Sequence, residues 1–129
     1  MGKISEALAG CTGSENWFRC AVSQSLLYTD GISLLARLAE AYWMIDLVAS
    51  HQTKKVRQEP FQLWSLRKLV DDPDHMAVAE CRTDTGEPTI VEQRIAFTDF
   101  PFDDLGESFE WYVEDSGDGR KVVMLKSER

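Results

Sequence analysis

The sequence predicts an α+β fold in which one long central helix packs on a roughly five-stranded antiparallel sheet. From Leu34 to Ala49 the charged side chains are Arg37, Glu40 and Asp46 alone, so most of the surface of a helix through this stretch needs cover from the rest of the fold. After Pro60 the pattern changes to short runs rich in Val, Ile, Phe, Trp and Tyr separated by clusters of turn residues, the signature of antiparallel hairpins. A helix lying across a sheet with one apolar face lets each cover the other. With 129 residues, 43% of them hydrophobic, the chain has the usual size of one domain and can bury a sizeable core, so residues 1–129 are expected to fold as a unit.

Residues 3–9 form a short amphipathic helix in this reading, with Ile4, Ala7 and Leu8 on one side and Gly10 and Gly13 ending it. In the next segment Trp17, Phe18, Val22, Leu26, Leu27 and Tyr28 surround Ser23, Gln24 and Ser25. No period chooses between strand and helix there, and the segment is expected as an ordered connection. The long helix starts at Asp30, whose carboxylate suits the free amides and positive dipole of a first turn, with Thr29 as the competing cap. It runs through Ser50, His51 and Gln52, beyond which Lys54, Lys55 and Arg57 place positive charge and Pro60 forbids continuation. Strands are expected near residues 61–70, 76–83, 89–97, 109–114 and 120–125. The turns between them are Asp71-Asp72-Pro73-Asp74, Asp84-Thr85-Gly86-Glu87-Pro88 and Asp115-Ser116-Gly117-Asp118-Gly119, with Pro101 in a longer link. Phe109, Trp111 and Val113 alternate with Glu110, Tyr112 and Glu114, giving that strand one apolar and one wet face.

The net charge of −8 argues against a protein that coats nucleic acid, because phosphate binding needs a basic surface. The ordinary reading of such a charge is that it keeps a small domain soluble; the functional alternative is a basic protein or nucleoprotein partner, or mimicry of a polyanion. Cys11, Cys20 and Cys81 are odd in number and lack Cys-x-x-Cys spacing, so neither a disulfide framework nor a zinc site is expected, and reduced thiols suit a cytoplasmic setting. No apolar run is long enough to span a bilayer and no signal peptide is recognisable. Met1-Gly2-Lys3-Ile4-Ser5-Glu6 approaches a myristoylation start, but Glu6 stands where that motif wants Ser or Thr.

Asp46 is the foremost candidate for chemistry. On a straight helix it points nearly opposite Arg37, among Ala39, Tyr42, Trp43 and Ala49, and Tyr42, Asp46 and Ser50 follow at spacings of four with His51 beside Ser50. A carboxylate near a phenol, a hydroxyl and an imidazole can act as a general base. The structural alternative, an Asp bonded to a backbone amide or an Arg, is preferred. Ser50 and His51 splay about 100° apart on a helix and make no triad by themselves. His75 can arrive from the sheet, yet no Gly-x-Ser-x-Gly turn exposes a serine. Asp71-Asp72-Pro73-Asp74-His75 is the one dense group of metal-ligand types, and Asp84-Thr85-Gly86 matches the short aspartic-protease signature; both are better explained as hairpin turns. No cofactor or metal is expected.

Between Arg94 and Arg120 there is no Lys or Arg, while Asp99, Asp103, Asp104, Glu107, Glu110, Glu114, Asp115 and Asp118 fall in the interval. These acids, interleaved with Phe100, Phe102, Phe109, Trp111 and Tyr112, are either a solvated face or a surface for a basic partner, since interfaces combine aromatic anchors with a polar rim. The binding surface in the second reading is Asp99, Asp103, Asp104, Glu107, Glu110, Trp111, Glu114 and Asp115.

Tyr28-Thr29-Asp30-Gly31, the Ala41-Tyr42-Trp43 helix ending at Ser50-His51-Gln52, Phe61-Gln62-Leu63-Trp64 and Thr98-Asp99-Phe100-Pro101 occur in an order and spacing that resemble a family of small uncharacterised bacterial proteins carried by phages, plasmids and other mobile elements. The resemblance runs from about Trp17 onward. The ending Leu125-Lys126-Ser127-Glu128-Arg129 resembles a Leu-Pro-Ser-Glu-Tyr ending with its Pro and Tyr replaced. The resemblance implies no known enzymatic activity and supplies no catalytic residues. Setting and charge together suggest a non-enzymatic accessory protein that binds a host protein, such as an inhibitor of a nucleic-acid-targeting defence system of the anti-CRISPR or anti-restriction type. The competing expectations are a small enzyme or ligand binder around Asp46, Tyr42 and His51, and a homodimer that covers its own exposed sheet face.

Overall fold

The computed structural model describes residues 2–129. In chain order its elements are α1 (Lys3–Ala9), β1 (Trp17–Cys20), β2 (Ser23–Thr29), α2 (Asp30–Leu38), α3 (Tyr42–Ser50), α4 (Lys54–Arg57), β3 (Phe61–Lys68), β4 (Ala77–Arg82), β5 (Thr89–Ile95), α5 (Phe102–Leu105), β6 (Ser108–Asp115) and β7 (Lys121–Leu125), closed by a short 3₁₀ turn (Lys126–Glu128). The class is α+β, but the expected architecture is corrected on two counts. The sheet has seven strands in the order β1-β2-β7-β6-β3-β4-β5, and it is mixed, because β2 runs parallel to β7 while every other pair is antiparallel. Among the described residues there is no long central helix.

The helix breaks at Ala39–Ala41. Ala39 caps α2, Glu40 takes a left-handed φ of 53°, and the Ala41 amide donates to the Ala36 carbonyl at 2.8 Å. This is the Schellman closure, with Glu in the position that usually holds Gly. Breaking here gives each short helix its own apolar stripe: Ile32, Leu35 and Ala36 from α2, and Met44, Ile45, Leu47 and Val48 from α3. The missed strands β1 and β2 pair antiparallel, and β2 inserts beside β7. Leu26 and Leu27 are both buried although they point to opposite faces, which erases the alternation expected of a strand.

Alternation elsewhere decides which side chains face the helices. Trp64 of β3 pairs with Trp111 of β6, their rings stacked at 6.2 Å, and Phe109 stacks on Trp111 at 6.1 Å. Ile32, Leu35, Ala36, Met44 and Ile45 close over Trp111 and Val123, leaving a void of about 10 Å³, too small for any ligand. The opposite face carries Leu27, Val122 and Leu63, all buried, and Glu80 set between Arg67 and Arg82 at 3.4 and 3.6 Å.

Two polar joints tie distant segments together. Gln62, fully buried, accepts from the Trp64 indole at 2.9 Å, exchanges amide hydrogen bonds with Gln52 at 2.9 and 3.0 Å, and donates to the Val56 carbonyl. The second joint lies at the start of α2. Thr29, not Asp30, is the N-cap and accepts from the Ile32 amide at 3.3 Å. Glu128 reaches back from the end of the chain to accept from the Thr29 hydroxyl at 2.6 Å, the Gly31 amide at 3.0 Å and the Leu125 amide at 2.9 Å. Its carboxylate sits where the dipole of α2 favours negative charge. Asp30 turns away to hold the preceding loop, accepting from the Glu15 and Asn16 amides.

Candidate functional site

β1 is an edge strand, paired on one side by β2 and open on the other. Edges of this kind are usually blunted by charge, proline or a covering segment. Beside Arg19 this one carries large exposed apolar side chains: Trp17 is 49% exposed, Phe18 39%, and Val22, in the turn that follows, 65%. Strand alternation sends Phe18 and Cys20 to the helix side and Trp17 and Arg19 to the other. On the helix side Phe18 stacks on Tyr28 at 5.5 Å, and the Cys20 thiol lies 3.8 Å from an Asp46 carboxylate oxygen. Tyr42, half exposed, stands one turn before Asp46 on α3.

The four groups Phe18, Tyr28, Tyr42 and Asp46 therefore border one surface. The Tyr28 phenol is held above its ordinary range, first by burial and then by the neighbouring Tyr42, Cys20 and Asp46. Asp46 is exposed and makes no ion pair among the described residues. It also lines an open groove of about 470 Å³ with Val22, Ser23, Ala49 and Ser50.

Of the other expected members of a catalytic group, Ser50 lines the same groove and His51 does not. Ser50 donates its hydroxyl proton back to the Leu47 carbonyl at 2.7 Å. His51 faces the opposite edge of the sheet, its Nε2 2.5 Å from the Gln93 amide oxygen on β5, with its ring against Trp64. His75 pairs with Asp72, which also accepts from Arg94, within the β4–β5 side of the molecule. Asp84 accepts from the Thr85 amide in the hairpin turn between β4 and β5. Cys81 is buried and its thiol is pushed up to about 12 by desolvation. No group of three His, Cys, Asp or Glu side chains is gathered as metal ligands among the described residues.

The acidic interval between Asp99 and Asp118 is divided by internal partners. Asp104 caps α1, accepting from the Ile4 and Ser5 amides at 2.9 and 3.1 Å; burial opposes its charge, but these bonds hold its carboxyl below the usual range. Glu110 pairs with Lys126, Glu114 with Arg129, Asp115 with the buried Lys121 and Asp118 with Arg120. Trp111 is only 1% exposed and belongs to the core. Asp99, Asp103 and Glu107 remain exposed without an ion-pair partner among the described residues. Asp99 lines a groove of about 370 Å³ with Trp43, Leu47, Ile95 and the 76%-exposed Phe97.

Residues 2–129 match the family of unknown function DUF6876. The chain belongs to that family. No curated protein and no solved structure shows a significant match. In this DUF6876 chain the segments that carried the resemblance are joints of the fold. The Tyr28-Thr29-Asp30-Gly31 segment meets Glu128 of the tail, and the Gln52 and Gln62 segments meet each other. Thr98 accepts from the Phe100 amide at 3.1 Å and both are buried. No helix is long and apolar enough to cross a membrane among the described residues.

Proposed function

We propose that this DUF6876 chain is a non-enzymatic protein-binding domain that engages its partner along the outer edge of β1 and the adjoining start of α3. One observation carries the reading: Trp17 and Phe18 on β1, Val22 in the turn after it and Tyr42 at the start of α3 are 39–65% exposed around the outer edge of the sheet. Solitary exposed hydrophobic residues need no explanation, but several large apolar side chains around one open sheet edge mark a surface that is covered in use. An extended segment of the partner adds to β1 through backbone hydrogen bonds and sets its apolar side chains against the aromatic rings.

The net charge of −8 favours a basic partner and fast, salt-sensitive association. The finer form of the proposal is an accessory protein of a mobile element that binds a host nucleoprotein complex and inhibits a nucleic-acid-targeting defence of the anti-CRISPR or anti-restriction type. Its support is the acidic charge, the small size and the resemblance set out above. In this form the edge gives affinity, and the unpaired Asp99, Asp103 and Glu107 contribute steering.

The test is affinity capture of the tagged chain from its host lysate, at low and high salt, beside Trp17→Glu/Phe18→Glu and Asp99→Lys/Asp103→Lys/Glu107→Lys variants. A specific partner lost in the edge variant and weakened by salt in the wild type supports the proposal. A partner retained by a folded edge variant refutes the assigned surface.

A further inference from the structure

We infer that the partner strand delivers an arginine side chain to Asp46, so that the surface formed by Phe18, Tyr28, Tyr42 and Asp46 is a selectivity site for an extended, Arg-bearing peptide segment. This deepens the proposal above and rests on it. The Asp46 carboxylate is exposed yet has no ion-pair partner among the described residues, and it neighbours Tyr28, whose ring face attracts positive charge. Cys20 of β1 lies 3.8 Å from Asp46, and Phe18, two residues earlier on the same face, stacks on Tyr28 at 5.5 Å. A carboxylate and an aromatic platform thus lie side by side along one face of the open edge.

Strand geometry fixes where the cation must come from. A residue paired opposite Cys20 on an added strand points to the same face as Cys20, with Cβ atoms about 5 Å apart, and a side chain of arginine length reaches the carboxylate. Arginine suits the site better than lysine because its planar fork can take both carboxylate oxygens and stack on a ring at the same time. The open groove of about 470 Å³ beside Asp46, walled by Val22 and Ala49, accommodates the aliphatic stem. A second copy of the chain fits less well. Arg19, the cation of β1 itself, points to the opposite face, so antiparallel pairing of two β1 strands brings no positive charge to Asp46.

The experiment uses the full isotopically labelled chain titrated with ethylguanidinium chloride, against sodium chloride at matched ionic strength, followed by amide chemical shifts. Saturable shifts at Cys20, Tyr28, Tyr42 and Asp46 are expected, with apparent affinity reduced at least fivefold in Asp46→Asn. No localised shifts, or shifts unchanged in Asp46→Asn, overturn the inference. In the capture assay, loss of the partner from Trp17→Glu/Phe18→Glu together with full retention by Asp46→Asn leaves the edge in place and removes the arginine site. Retention by both folded variants removes the edge reading itself. Sedimentation supplies one more refutation: a dimer that Trp17→Glu/Phe18→Glu dissociates puts a second copy on the edge.

Discussion

Gly31→Ala is a small substitution with a consequence that depends on the far end of the chain. A Cβ built on Gly31 lies 2.4 Å from the Glu128 Oε1 atom and 2.6 Å from Leu125 Cδ1, so the carboxylate must leave its place. When it leaves, the Gly31 amide and the Thr29 hydroxyl lose their acceptor, and Thr29 is only 2% exposed. Each such loss is worth about 1–3 kcal/mol, reduced where water replaces the acceptor, so Glu128→Ala is expected to cost roughly 2–3 kcal/mol. For a chain of this size that lowers the thermal midpoint by roughly 6–15 °C. Gly31→Ala loses the same bonds but gains about 0.5–1 kcal/mol from the stiffer helical residue, leaving a net cost of about 1–2.5 kcal/mol. The double variant decides the matter. With Glu128 already gone there is no carboxylate to expel and only the Leu125 methyl must shift, so Gly31→Ala costs clearly less than it does with Glu128 in place. Urea unfolding followed by the fluorescence of the buried Trp64 and Trp111 gives all four corners of the cycle. Costs that add to within about 0.5 kcal/mol show that the two residues act independently, and the latch is refuted.

Glu40→Gly is expected to stabilise the chain by roughly 0.5–1 kcal/mol, because it relieves a side chain held at a φ of 53° in the Schellman closure, offset by the greater freedom of Gly when unfolded; a fall in the urea midpoint contradicts this. Acid sensitivity is expected from Asp30, Asp72 and Asp104. For Asp72 the Asp74 amide leads in holding the carboxyl low, while for Asp30 and Asp104 burial is opposed and outweighed by backbone and side-chain donors. Folded values below unfolded ones mean that their contribution is present above the unfolded value of about 4 and is lost as pH falls through the folded values. Urea midpoints should therefore fall as pH is lowered below about 5, and Asp104→Asn should flatten that fall; an unchanged slope in the variant shows that the α1 cap does not contribute.

The strands after Pro60 were legible because alternation and turn chemistry agree there: β6 keeps Phe109, Trp111 and Val113 on one side, and Gly86, Gly117 and Gly119 take the left-handed turns their neighbours require. β1 and β2 were illegible for a tertiary reason. β2 is interior, buried on both faces at Leu26 and Leu27, and gains its parallel neighbour β7 from almost the other end of the chain. The helix break was hidden because a Glu at a left-handed position gives no local signal. The stripe itself lies on one helix, but its ends face apart: His51, the C-cap of α3, turns to Gln93, while Asp46 faces β1. The partners of the acidic interval could not be read from it, since Lys121, Lys126 and Arg129, which pair with Asp115, Glu110 and Glu114, lie outside the interval that defined it.

The joints of the fold and the outer edge of β1 are under different physical constraints. A joint such as Gln62 or Glu128 satisfies several buried or half-buried donors at once, so few other side chains can replace it. A binding edge has no such constraint: its backbone groups are the same whatever the side chains, and Trp17, Phe18 and Val22 can change with the partner while the sheet behind them stays intact. Partner choice is therefore expected to reside at the β1 edge, and the joints to preserve the platform that holds it. Exchanging residues 17–22 between two family members tests this directly. The exchange should leave the unfolding midpoint nearly unchanged while moving partner preference with the transplanted edge; a preference that stays with the recipient places recognition elsewhere on the fold.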